Sequence, residues 1–480
     1  MNSPLKILWV GSEIFPFAKT GGLADVGGSL PPALKKLGLE VRAILPKYTC
    51  TKSHPVNSLN LEIESRVSKK KARLFEGKLP EDVPVYLVEN DEYFNREHLY
   101  GTPESEYQDN VERFAFFCQA VLETCQVLEF QPDLIHCNDW HAGLIPAYLK
   151  SVYSEDSWFS RINTLFSIHN LGYQGNYPMD EFPVTGLPDS FWGPEGIEFY
   201  DQISLLKSGL IYSDALNTVS PNYCKEIQTA GLGFGMEGIL QERSDSLCGI
   251  LNGVDYSVWN PATDDLIVEK YGPLSNKKKC RDELLKMFSL TLENHTPLLC
   301  MITRLSSQKG IDLLMQADLK DYDMGLIVLG QGEAKYEDFF SQLAKTRPDQ
   351  FATSFTFDDA LAHQVLAGSD ILLMPSIYEP CGLTQMYALK YGTVPIVSSV
   401  GGLDDSIQEF EGKSGTGFKF SPNDQKSFKK ALQKTFDCFA DQNLWERLIN
   451  NGMAMDFSWD NSARQYSSLY QEIQKSAKNH

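Results

Sequence analysis

None of the ten cysteines forms a Cys-x-x-Cys pair, which removes zinc ribbons and thioredoxin-like dithiol sites from consideration. Positive charge is in deficit as well: 43 Lys and Arg stand against 63 Asp and Glu, a net charge of −20. Nucleic acid and anionic membrane both call for a basic surface, so neither is expected as a partner. No apolar run reaches membrane-spanning length, and the first one, residues 5–10, is interrupted by Lys6 and too short for a signal-peptide core. Internal repeats and low-complexity segments are also lacking. These absences lead to the expectation of a cytoplasmic protein whose thiols are free and mostly buried. An anionic ligand would have to meet a local patch of cations, while neutral polymers remain open as substrates.

What the chain does contain is apolar residues, at 42%, and aromatics, at 11% of 480 residues. That length exceeds what one core usually serves, so two or three domains are expected. Residues 7–11 read as a buried parallel strand, followed by a Gly-rich loop and a helical pattern over 30–37. Strand-like runs at 41–45, 85–88, 134–137 and 164–168 continue the series, with helical patterns at 111–128 and 143–149. The pattern restarts with runs at 298–303, 325–329, 371–375 and 395–398, separated by helical stretches that include 310–317 and 336–345. Alternation of this kind predicts an α/β protein with doubly wound parallel sheets. The boundary is placed where a short strand meets the turn Asn252-Gly253. This gives domains at 1–248 and 249–457 and a terminal helix at 458–480, with Tyr466, Leu469, Tyr470 and Ile473 at helical spacing. Its own sequence does not say which domain it packs on; a return to the first is the expectation.

Three loops at strand ends carry candidate chemistry. Lys19-Thr20-Gly21-Gly22-Leu23 lies between the first strand and first helix, where glycines admit a ligand to the backbone and helix N–H groups meet a phosphate. Lys19 adds a mobile charge; an ordinary Gly-containing turn is the alternative. Thr303-Arg304 through Lys309-Gly310 is the counterpart in the second half, where two cations can clamp a diphosphate. There, a solvated basic turn is the alternative. Glu379-Pro380-Cys381-Gly382-Leu383-Thr384 offers a carboxylate that can face a sugar or cap its own helix.

His136, Asp139 and His141 surround Trp140, and His169-Asn170 ends another strand. The spacing matches no common zinc pattern, and hydrogen bonding of a polyhydroxy ligand is preferred over a metal. His169 can equally be a satisfied strand-end histidine. Gly233-x-Gly235-x-x-Gly238 follows a helical stretch and so fails the context test for a dinucleotide fingerprint. Asp321-Tyr322-Asp323 lies on the N-terminal side of a strand, away from the ligand edge of such a sheet.

Taken in order, these segments resemble the bacterial glycogen synthase and plant starch synthase family from Lys6 to about Ile473. The motifs are Lys19 to Val26, His136 to His141, Ile168 to Gly175, Thr218-Val-Ser-Pro, Gly249 to Asp255, Thr303 to Gly310, and Glu379 to Gln385. The resemblance implies two facing Rossmann-like domains of GT-B type around a deep cleft. It implies a retaining hexosyltransferase that moves glucose from ADP-glucose to the non-reducing end of an α-1,4-glucan, glycogen or a maltooligosaccharide, with no cofactor and no metal. By position, Lys19, Arg304 and Lys309 would bind the diphosphate, and His169 and Asp139 the glucose. Glu379 would stabilise the transition state. Gly22, Asn252, Cys381, Gly382, Leu383 and Thr384 would also meet the donor. Phe357 replaces the usual tyrosine stacked on adenine and keeps the ring. Other departures are Gly27 in the first helix, Asn138 where relatives often have His, and Ile377-Tyr378 in place of Arg-Phe.

Overall fold

The computed structural model describes residues 4–102, 105–273, 277–356 and 358–477. The chain divides into two compact units. One comprises Met1–Val219, Cys224–Gly253 and Trp459–His480, and the other Ser220–Tyr223 and Val254–Ser458. The division falls after Gly253, so residues 249–253, assigned above to the second domain, lie in the first unit. The cause is local: the strand Leu247–Gly249 pairs with Ala215–Thr218 and holds its continuation there.

In the first unit the strands are β1 (Lys6–Val10), β2 (Glu40–Pro46), β3 (Asn57–Glu64), β4 (Lys71–Leu79), β5 (Val83–Glu89), β6 (Leu134–Asn138) and β7 (Asn163–Ile168). Three short strands follow, β8 (Asn176–Pro178), β9 (Glu198–Phe199) and β10 (Gln202–Ser204), then β11 (Ala215–Thr218) and β12 (Leu247–Gly249). The main sheet runs β12-β11-β7-β6-β1-β2-β5-β4-β3, while β8, β10 and β9 make a separate small sheet. Pairing is parallel from β12 to β5 and antiparallel at β4 and β3. The central strands are buried along their length because both faces are covered, and they are mostly apolar. β3 and β4 instead alternate exposed and less exposed residues and carry no continuous apolar run.

Helix α1 (Gly22–Lys36) buries Leu23, Val26, Leu30 and Leu34. A Cβ on Gly27 would stand 2.6 Å from the Trp9 ring. Glycine there weakens the helix by about 1 kcal/mol relative to alanine, but it makes room for the Trp9 ring, which projects from β1 against α1. The terminal helix Trp459–Ala477 belongs to the first unit and packs on α1. Tyr470 bonds His136 at 2.8 Å, the Asn217 amide donates to Tyr466 at 3.0 Å, and Gln474 donates to the Asp133 carbonyl at 2.7 Å.

The second unit carries β13 (Leu298–Ile302), β14 (Gly325–Leu329), β15 (Phe351–Ser354), β16 (Ile371–Met374), β17 (Val394–Ser398) and β18 (Phe418–Phe420). Their order, β15-β14-β13-β16-β17-β18, is three-two-one-four-five-six in the unit's own count, all parallel. Successive residues bury on opposite faces. Leu299, Met301 and Val328 pack with Phe428 and Leu432, while Leu298, Cys300 and Ile327 pack with Leu284 and Val365. This strand order is the Rossmann order, and it reverses between β13 and β16. Ligands of open α/β sheets bind beyond the strand C-termini at such a reversal. In the first unit the corresponding reversal lies at β1 and β6.

All ten cysteines are free; eight are buried, Cys248 is half-buried and Cys50 exposed. Among the described residues no helix is long and apolar enough to cross a membrane.

Candidate active site

The reversal in the first unit carries the Lys19 loop after β1, Asp139 after β6, and His169 after the neighbouring β7. The loop is held from beneath by Glu13, which is almost fully buried. Its carboxylate accepts from the backbone of Thr20 at 2.5 Å and of Gly21 at 3.0 Å, from the Thr20 hydroxyl at 2.6 Å, and from Tyr100 at 2.6 Å. The N–H groups of Gly22 and Leu23 come next and precede the intrahelical ladder of α1, which has no side-chain cap. Lys19 is less mobile than its sequence implies: its ammonium lies 2.9 Å from Asp25. A pocket of about 370 Å³ opens beside the loop, lined by residues that include Phe17, Lys19, Thr20, Cys50, His54 and His98.

Glu13 leaves no local motif in the sequence because its partners are two backbone N–H groups, a hydroxyl seven residues on and the distant Tyr100. The available signal was a lone acid just beyond a buried strand. Glu13→Gln would place an NH2 group against donors. We expect a loss of about 2–3 kcal/mol in denaturant titrations, the scale of one charge-assisted hydrogen bond, and a drop in kcat/KM of more than about tenfold as the loop loosens. Unchanged stability and rate would refute this role.

Asp139 sits in a left-handed backbone conformation, φ 55°, and its carboxylate accepts from the His169 N–H at 2.8 Å. Burial pushes its pKa up from 3.8 to about 7, against the lowering effect of the His169 and Asn170 backbone bonds. Burial also lowers the His169 imidazole to about 3, so it is neutral. The His169 Nε2 lies 2.8 Å from the Asn138 amide oxygen. His136 and His141 are engaged elsewhere: His136 bonds Tyr470 and Ser167, and His141 stacks on Trp140 at 3.9 Å. Asn252 is buried in the segment leaving β12, and its amide oxygen has no protein partner among the described residues.

The raised Asp139 pKa has a definite sign. Between about pH 4 and 7 the folded protein keeps a proton that the unfolded chain has lost, so this group's contribution to stability falls as pH rises. Asp139→Asn retains an acceptor oxygen and removes the titration. Its stability relative to the parent should therefore improve steadily from pH 4 to 7 and level off above. Denaturant titrations across that range would read this, and a relative stability that declines with pH would sink the assignment.

In the second unit the loops after β13 and β16 meet at the reversal. The Ile377 N–H donates to the Gln308 carbonyl at 2.8 Å, and the Gln308 amide to the Tyr378 carbonyl at 3.2 Å. Gly310 is left-handed, φ 66°, and a Cβ there would sit 1.8 Å from the Pro375 carbonyl oxygen, so this seam needs glycine. The seam brings Lys309 to 2.6 Å from Glu379, both largely buried, and Ser376 donates to the same carboxylate oxygen at 2.9 Å. Glu379 therefore does not cap its own helix: Thr384–Lys390 begins at Leu383 with no side-chain cap. Arg304 is exposed, and Cys381 is buried with its carbonyl accepting from Gln385 at 3.0 Å. Gly382 is left-handed, φ 67°, ahead of Leu383 and Thr384. Phe357 lies outside the described residues.

The two motifs set aside from sequence fall as expected. The Gly233–Gly238 run follows the helix Pro221–Glu226 through a turn, and Asp321 and Asp323 are exposed ahead of β14.

Two parallel-sheet units, each with a cation-bearing loop after its first strand, and a carboxylate beside the cation in the second, define a glycosyltransferase of the two-Rossmann class. Residues 6–242 match the starch synthase catalytic domain family, and residues 282–455 match the glycosyl transferases group 1 family. The chain is 42% identical to a glycogen synthase of Syntrophotalea carbinolica, covering 98% of this chain and 99% of that one. It is 44% identical to a glycogen synthase of Elusimicrobium minutum over the same shares. Its fold matches the catalytic domain of starch synthase IV from Arabidopsis thaliana, bound to ADP and acarbose, with a TM-score of 0.91 and 32% identity, covering 98% of this chain and all of that one. The chain belongs to the glycogen synthase and starch synthase family.

Proposed function

We propose that the chain extends α-1,4-glucans by moving a glucosyl group from ADP-glucose to the non-reducing end of glycogen or a maltooligosaccharide, with retention, in the cytoplasm. The observation that carries this reading is the Lys309–Glu379 pair at the sheet reversal. Departure of ADP leaves negative charge on the diphosphate while the anomeric carbon turns cationic. A cation and a carboxylate built side by side at this edge supply one charge for each.

In this reading Lys19, Arg304 and Lys309 meet the diphosphate, helped by the backbone of Gly22, Gly382, Leu383 and Thr384. His169 and Asp139 hold the glucose, Glu379 faces the anomeric carbon, and Asn252 and Cys381 complete the donor contacts. Phe357 stacks on adenine. The acceptor hydroxyl attacks from the face the diphosphate leaves, and a phosphate oxygen takes its proton. Charge is neutralised by side chains, so the reaction needs no metal.

The test incubates the protein with a maltooligosaccharide and either ADP-glucose or UDP-glucose, with and without EDTA. Chain extension with ADP-glucose, indifferent to EDTA and giving α-linkages by NMR, is expected. No extension with either donor would overturn the reading.

A further inference from the structure

His169 is held by a bond whose direction the surrounding groups decide. Asn138, at the end of β6, is fully buried. Its amide nitrogen lies 2.9 Å from the Val10 carbonyl and 3.1 Å from the His136 carbonyl. Both are pure acceptors, so the NH2 group must point at them; the flipped amide would set one oxygen against two others. The amide oxygen is thereby turned to His169, 2.8 Å from Nε2. That nitrogen must carry the proton, because two acceptors do not bond. A neutral imidazole carries one N–H, so Nδ1 is left with its lone pair.

We propose that Asn138 is a positioning residue that holds His169 as the Nε2–H tautomer, leaving Nδ1 to accept a hydrogen bond from a hydroxyl of the bound sugar. The sugar part of this inference rests on the function proposed above; the tautomer does not. A tautomer set in advance spares the ligand the cost of choosing it. It also selects for a donor group at that position of the sugar, since a group that only accepts would face a lone pair.

The test is 15N NMR of the full chain labelled at histidine, with the His169 signals assigned by their absence in His169→Gln. At pH 7 the expected pattern is a neutral ring protonated at Nε2 and bare at Nδ1. Asn138→Leu removes the acceptor and should convert the ring to a mixture of tautomers. Alongside, Asn138→Leu should bind ADP, which has no sugar at this position, within about twofold of the parent. It should weaken ADP-glucose use by about tenfold in kcat/KM, the scale of one lost hydrogen bond. An Nδ1–H or doubly protonated ring in the parent protein overturns the proposal, as does an unchanged tautomer in Asn138→Leu. Equal loss of ADP and ADP-glucose binding in that variant would mean a purely structural role and also overturns it. Failure of the synthase assay with the expected NMR pattern would instead remove the sugar and keep the tautomer.

Discussion

Glu379→Gln should lower turnover by about 10²–10³-fold, the range seen when one preorganised electrostatic contact to a transition state is removed. ADP affinity should stay within about threefold of the parent. The asymmetry follows from the geometry. Glutamine keeps the shape and can still accept from Ser376 and Lys309, so the loop seam through Gln308, Ile377 and Tyr378 survives. What disappears is the negative charge, which is needed only while the anomeric carbon is cationic. Lys309, no longer neutralised, remains available to the diphosphate. Steady-state rates and calorimetric ADP titration separate the two effects, and near-parental turnover would exclude Glu379 from the reaction.

Lys309→Ala should behave differently. It removes the cation from a largely buried pair and strands the carboxylate, and breaking such pairs costs about 3–5 kcal/mol when one partner stays charged in the interior. Stability, ADP affinity and turnover should therefore fall together. The double variant Lys309→Met with Glu379→Gln removes both charges and should regain much of the lost stability while remaining inactive. Denaturant titration of the three variants is the measurement. A double variant no more stable than Lys309→Ala would show that the two side chains are not energetically coupled.

The two variants diverge because of something the sequence does not display. The Lys19 and Lys309 loops were legible as ligand loops, since glycine and a cation at a strand-to-helix junction are local signals. The pairing of Lys309 with Glu379 was not. It spans 70 residues and depends on β13 and β16 being neighbours in the sheet. Lys19 likewise read as mobile, although Asp25, one turn into α1, lies against it. Most of the parallel strands were legible from apolar runs; the short parallel strands β11, β15 and β18 were missed, as were β3 and β4, which answer to a period of two. Glu13 is held in part by backbone N–H groups, and Asn138 is oriented by the Val10 and His136 carbonyls; backbone partners leave no trace in residue type.

The return of the last helix to the first unit bears on how the protein is made. Tyr466 and Tyr470 supply the partners of Asn217 and His136. All four side chains are buried where the terminal helix covers a sheet whose strands are complete by Gly249. A ribosome must therefore release the whole second unit, residues 254–458, before the parts that seal the first exist. Until then two polar groups at the heart of the N-terminal sheet stay open to water. The unit begun first is therefore the one whose last buried partners are made last.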